Sequence, residues 1–166
     1  MNHEKRIQVI TEKLDEISKP FGTETMIAGF RKTAEYFEDG INYLRKAIDE
    51  SDREEFHKEN LKDIDICRAY MHHLISAANY SEFVYVRNKW LETKEPGFKN
   101  KLIVILNDEL KNTEEMLKLL KKDSRIGYEG SIGYFYMPFE LIEKIYDIKC
   151  SLVEMGGKGV KLETEY

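Results

Sequence analysis

The sequence predicts an all-α fold, an antiparallel bundle of about five helices with one long glycine- and aromatic-rich loop. Three observations predict it. Apolar residues recur at alternating steps of three and four along most of the chain. Charged residues make up 34% against 42% hydrophobic, which suits helices with one buried stripe and a charged outer face. The periodicity fails over a single long internal stretch, residues 123–137.

The elements follow in order. A short helix is expected from about Glu4 to Ser18, with Ile7, Ile10, Leu14 and Ile17 on one face, and Lys19-Pro20-Phe21-Gly22 stops it. Thr23 reads as the N-cap of a second helix. In that helix Ile27, Phe30, Ala34, Phe37, Ile41, Leu44 and Ile48 form one stripe, and Gly29 and Gly40 suggest close approach of a neighbour. A third helix is expected from about Arg53 to Glu92, with Leu61, Ile64, Cys67, Met71, Leu74, Ala78 and Tyr85 inward. At 1.5 Å per residue it would reach roughly 60 Å, so a bend near Asn79-Tyr80-Ser81 or a break around His57 to Asn60 is expected. Lys94-Glu95-Pro96-Gly97 ends it. The fourth helix carries Ile103, Leu106, Leu110, Thr113, Leu117 and Leu120. Pro138 opens the fifth, whose face is Leu141, Ile142, Ile145, Ile148 and Leu152, closed by Gly156-Gly157. One domain is expected over residues 1–166: a helix and turn to 22, the main bundle over 23–155, and a fraying tail over 156–166.

Composition narrows the partners. Net charge is −5, from 26 basic and 31 acidic residues interspersed throughout, and no Lys/Arg cluster suits a phosphate backbone; no nucleic-acid partner is expected. Lys118, Lys121 and Lys122 form the densest basic group and complement a helix C-terminus. No apolar run approaches the ~18 residues of a membrane span, and Ile7-Gln8-Val9-Ile10 is too short for a signal peptide, so no membrane partner is expected and the default compartment is the cytoplasm. Cys67 and Cys150 lack CxxC partners and fall on apolar stripes, where they behave as small hydrophobes rather than zinc ligands or a disulfide.

Chemistry-bearing patterns are sparse. Glu54-Glu55-Phe56-His57 is half of a di-iron carboxylate signature, but no second Glu-x-x-His exists, so neither a metal nor another cofactor is expected. No Gly-x-Ser-x-Gly and no phosphate loop occurs, and no catalytic residue is assigned. His72 and His73 point about 100° apart on a helix. His72, Asn79 and Arg87 recur at about two-turn steps and form a polar row: a buried network, an interface or a ligand wall. Residues 123–137 crowd Arg125, Tyr128, Glu129, Tyr134 and Tyr136 among glycines. Tyrosine faces and hydroxyls beside Arg and Glu suit the apolar faces and hydroxyl rims of a sugar; the alternative is that the aromatics plug the end of the bundle.

His72-His73-x-x-Ser76-x-x-Asn79-x-x-x-Phe83-x-x-x-Arg87, followed by Asp123-Ser124-Arg125-Ile126-Gly127-Tyr128-Glu129 and Tyr134-Phe135-Tyr136-x-Pro138, resembles the helical C-terminal region of large bacterial glycoside-hydrolase-like proteins of the α-glucuronidase and hexosaminidase type. The resemblance covers about Phe37 to Leu152. It departs where that family continues with Ser-Asn-His-Tyr and this chain has Ser131-Ile132-Gly133-Tyr134, without the Asn and His. The resemblance implies an accessory helical domain packed on the catalytic barrel of a parent enzyme, with a carbohydrate as ligand and no turnover by this chain alone. A self-contained protein–protein interaction domain is the other expectation, since aromatics are also enriched at interface hot spots.

Overall fold

The computed structural model describes Leu14 and residues 16–51, 54–129, 133–134 and 136–156, with 54–59, 128–129 and 133–134 described through their backbone. The fold is all-helical. Leu14 and residues 16–18 are helical, while the rest of the expected first helix and the tail beyond 156 lie outside the described residues. Helix α1 spans Thr23–Asp49, α2 Glu54–Thr93, α3 Pro96–Lys122 and α4 Pro138–Glu154. Between α3 and α4, β1 (Tyr128–Glu129) and β2 (Gly133–Tyr134) form a two-residue antiparallel ladder. Helix α1 packs on α2, α2 on α3, and α3 on α4.

Thr23 is the first helical residue rather than the cap. Gly22 takes the cap position at φ 86, with no side-chain cap bond. The turn after Pro20 needs a positive φ, which glycine adopts without steric cost, and Glu24 supplies negative charge to the helix start. Buried Ser18 sits 2.8 Å from the Thr23 hydroxyl and ties the turn together.

Along α1 the buried residues are Ile27, Ala34, Ile41 and Ile48, one every seventh position. Such a narrow seam suits a helix that, among the described residues, packs mainly on one partner. Leu44 falls off it and is 46% exposed, and Phe30 and Phe37 are half-buried. Gly29 and Gly40 do not mark a close helix approach, because a Cβ at either would meet nothing within 4 Å.

Helix α2 runs its 40 residues without a break, through both 57–60 and 79–81. It is held from two sides, since α1 and α3 both pack on it. Ile64 meets Ile41 and Ile48, with Cys67 and Met71 packed against them. Leu61, one turn further, is 47% exposed. Helix α3 buries two faces. Leu102 and Ile105 meet Val86 of α2, while Leu106 meets Ile148 and Leu152 of α4. A third cluster joins Ala69 of α2, Met116, Leu117, Leu119 and Leu120 of α3, and Leu141 and Ile145 of α4. Helix α4 keeps the expected face, with Ile142 half-buried, and Pro138 at its first turn needs no amide partner. Cys67 and Cys150 are free, half-buried thiols.

Candidate functional site

The described part of the 123–137 connection is pinned to the helices at several points. Asp123 accepts from the Arg125 backbone amide at 2.9 Å and from the guanidinium at 2.7 to 3.1 Å. These hydrogen bonds from Arg125 hold the Asp123 carboxyl below its usual range, at about 2. Ile126 is buried among the α3 and α4 residues of the large apolar cluster. Gly127, at φ 85, passes so close to the returning chain that a Cβ would lie 2.9 Å from the Tyr136 carbonyl oxygen. The ladder then sets Tyr128 opposite Tyr134 and Glu129 opposite Gly133. Tyr136 is half-buried against the apolar cluster, its hydroxyl bonded to His73 Nδ1 and its ring edge-on to the imidazole. Burial, followed by the nearby Glu109 charge, raises the Tyr136 pKa above its ordinary value.

Behind the connection a polar network crosses all four helices. Glu109 of α3 is its centre: Asn79 donates to one carboxylate oxygen at 2.8 Å, and Ser76 and Lys144 donate to the other. Lys144 of α4 also donates to the Ser76 hydroxyl at 2.8 Å. On the far side, Arg31 of α1 donates to Asn79 Oδ1 at 3.1 Å and to Glu82 at 2.6 Å, and Lys101 of α3 completes Glu82 at 2.9 Å. Burial opposes ionisation of Glu82, but the Lys101 and Arg31 hydrogen bonds outweigh it and lower its pKa. Thr113 returns its hydroxyl to the Glu109 carbonyl at 2.8 Å. Buried polar groups are costly unless satisfied, and this arrangement satisfies them mutually.

One turn away, His72 and Asn112 form a reciprocal pair. Asn112 Nδ2 donates to the His72 carbonyl at 2.9 Å, which fixes the amide so that its oxygen faces His72 Nδ1 at 2.8 Å. An amide oxygen only accepts, so Nδ1 carries the proton.

The expected polar row is thus partly assembled. His72 and Asn79 both face α3, but Asn79 is 1% exposed and engaged by Arg31 and Glu109, so it is a brace within the core rather than a ligand wall. Arg87 does not join them; its Nη2 reaches Asn88 at 3.3 Å, and burial lowers its pKa. Arg125 is exposed on the connection, and Tyr136 is anchored inward beside it. Tyr128, Glu129 and Tyr134 are brought together by their backbones in the ladder. Sequence reading missed Arg31, Glu109, Asn112 and Lys144, and met Ser76 only as a motif residue. A signal existed for two of them: Glu109 and Asn112 fall in the buried register of Ile105, Met116 and Leu119, where polar residues must find partners. Lys122 likewise does more than complement a helix end, for it pairs with buried Asp65 of α2.

Among the described residues no group of three or more His, Cys, Asp or Glu is placed to hold a metal, and no helix is long and apolar enough to cross a membrane. The His57 side chain lies outside the described residues. No family model, no curated protein and no solved structure matches the chain.

Proposed function

We propose that the chain is an accessory helical domain of a carbohydrate-active enzyme, packing on a catalytic barrel and lending residues of the 123–137 connection to a sugar-contacting surface. Within this reading the helices form an antiparallel bundle, supported by the pairings of His72 with Asn112, Asn79 with Glu109 and Val86 with Leu102. The irregular 123–137 stretch is its surface loop.

The observation that carries the reading is the pre-organised Arg125. Its side chain is 54% exposed, yet the guanidinium is fixed by Asp123 through Nε and Nη2, which leaves Nη1 for a ligand hydroxyl. Holding such a side chain in place before binding reduces the ordering cost that a sugar would otherwise impose. The glycine crossing at Gly127 and the ladder that follows give the tyrosine-bearing stretch a defined backbone beside it. A panel of uronic acids and N-acetylhexosamines, titrated at millimolar concentration and followed by backbone amide NMR, tests the idea. Shifts confined to residues 123–137 and weakened in Arg125→Ala are expected; silence across the panel overturns it. Turnover of chromogenic glycosides by the purified chain would overturn the accessory role.

A second reading, a self-contained protein–protein interaction domain, is favoured by Tyr36 and Tyr43. These lie seven residues apart on α1 and are 63% and 76% exposed. Exposed tyrosines of this kind are characteristic anchors of interfaces. Tyr43→Lys separates the readings: it should abolish capture of a protein partner and leave sugar-induced shifts at 123–137 unchanged.

A further inference from the structure

Helices α1, α2 and α3 leave between them an open groove of about 400 Å³, within the size range of small-ligand sites. It is distinct from the 123–137 connection. Ile41, Met71 and Leu119, one from each helix, give it an apolar surface. Its charges are unequally engaged. Lys118 is held by Glu115 at 2.7 Å, and Lys122 by Asp65. Arg68 reaches Asp65 only at 3.8 Å, across a carboxylate already bound to Lys122. Arg45 is half-buried in the groove wall and, among the described residues, makes no ion pair. A half-buried guanidinium beside apolar surface gains from a carboxylate, whose two oxygens match its forked donors. Glu38 also lines the groove and repels a second negative charge, so the ligand is limited to one anionic group.

We propose that this groove binds a small monocarboxylate with an apolar body, its carboxylate taken by Arg45 and Arg68 and its body laid on Ile41, Met71 and Leu119. The neutral counterpart of such a ligand keeps the apolar contact and loses the ion pair, so charge is what the site selects.

Benzoate and its neutral analogue benzamide are the probes, added to the whole chain with methyl-labelled Ile and Met. Benzoate should shift the Ile41 and Met71 methyl signals saturably, at least tenfold more tightly than benzamide, and raised salt should erode that advantage. Arg45→Gln should weaken benzoate about tenfold and leave benzamide unchanged. Equal binding of the two probes, shifts elsewhere, or no shift overturns the proposal. The comparison of probes in the unsubstituted chain decides the matter even where Arg45→Gln fails to fold. Because its signals arise at residues 41 and 71, this outcome is read separately from sugar binding at 123–137.

Discussion

The two sides of α2 are built from different materials. Toward α1 lies an apolar seam, where Ile41, Ile48 and Ile64 are buried and Cys67 and Met71 pack against them. Toward α3 the middle of the contact is polar, with His72, Ser76 and Asn79 bonded to Asn112 and Glu109. Apolar ridges spaced by heptads pack nearly as well after a slip of one repeat, because one aliphatic side chain replaces another. A carboxylate that accepts from Asn79, Ser76 and Lys144 is satisfied in one register alone. The difference teaches that α1 is held to α2 mainly by burial, with the one polar clamp of Arg31 on Asn79 and Glu82, whereas α3 and α4 are held in a particular alignment.

Breaking the polar side should therefore cost most. Glu109→Leu leaves Asn79, Ser76 and Lys144 without their acceptor, and a loss of about 3–5 kcal/mol is expected from the urea midpoint. Adding Lys144→Met should restore part of it by removing the stranded cation. If the single substitution costs under about 1 kcal/mol, the network is not what fixes the alignment. On the apolar side, Ile41→Ala removes a buried residue from a three-member cluster on a two-helix seam. A loss of about 2–3 kcal/mol is expected, the lower part of the range for such truncations, because a seam with one partner relaxes more readily than a core enclosed on all sides. Near-equal losses at residues 41 and 109 would erase the contrast.

The same contrast explains what was legible beforehand. The apolar face of α4 and the identity of the four described helices follow from spacing alone, since a buried aliphatic residue announces itself by period. What spacing overstates is burial at the edge of a seam. Leu44 and Leu61 keep the rhythm yet stand 46% and 47% exposed, because among the described residues α1 packs mainly on one helix and the seam between the two is narrow. The polar side was legible only as isolated letters. His72 and Asn79 stood out on their own helix, but their partners Asn112 and Glu109 are 40 and 30 residues away, and a pairing at that separation is set by how two helices align. The break expected around His57 to Asn60 was over-read for a similar reason. A rod of 40 residues looks unsupported in sequence, and two flanking helices support it. Gly127 was legible as a glycine in an odd stretch, not as the crossing point of two chain segments.

That crossing gives the next smaller effect. Gly127→Ala places a methyl group 2.9 Å from the Tyr136 carbonyl at a φ that alanine adopts poorly, and about 1–3 kcal/mol should be lost. The damage should be local. The aromatic signals of His73 and Tyr136 should change together while the methyl signals of Ile41 and Ile64 stay in place, so the substitution separates the connection from the seam. Spread of the change to Ile41 would mean the two regions are not independent.

The smallest effect lies at the surface, in the Asp123–Arg125 clamp. Hydrogen bonds from Arg125 depress the Asp123 pKa from an ordinary 3.8 to about 2. A carboxyl whose folded pKa lies below its unfolded one favours the folded state fully above the unfolded value, and that contribution is lost as pH falls through the folded one. The clamp should thus be intact at pH 5 and above, and open progressively as acid approaches pH 2. Carbon-detected titration of the side-chain carboxyl should give a midpoint near 2 in the native chain and near 4 in Arg125→Gln. Because the Arg125 side of the pair is open to solvent, its effect on unfolding should stay small and shrink with salt, in contrast to Glu109. A native midpoint near 4 would mean that Arg125 is not held in advance, and the pre-organisation on which the sugar reading rests would be gone.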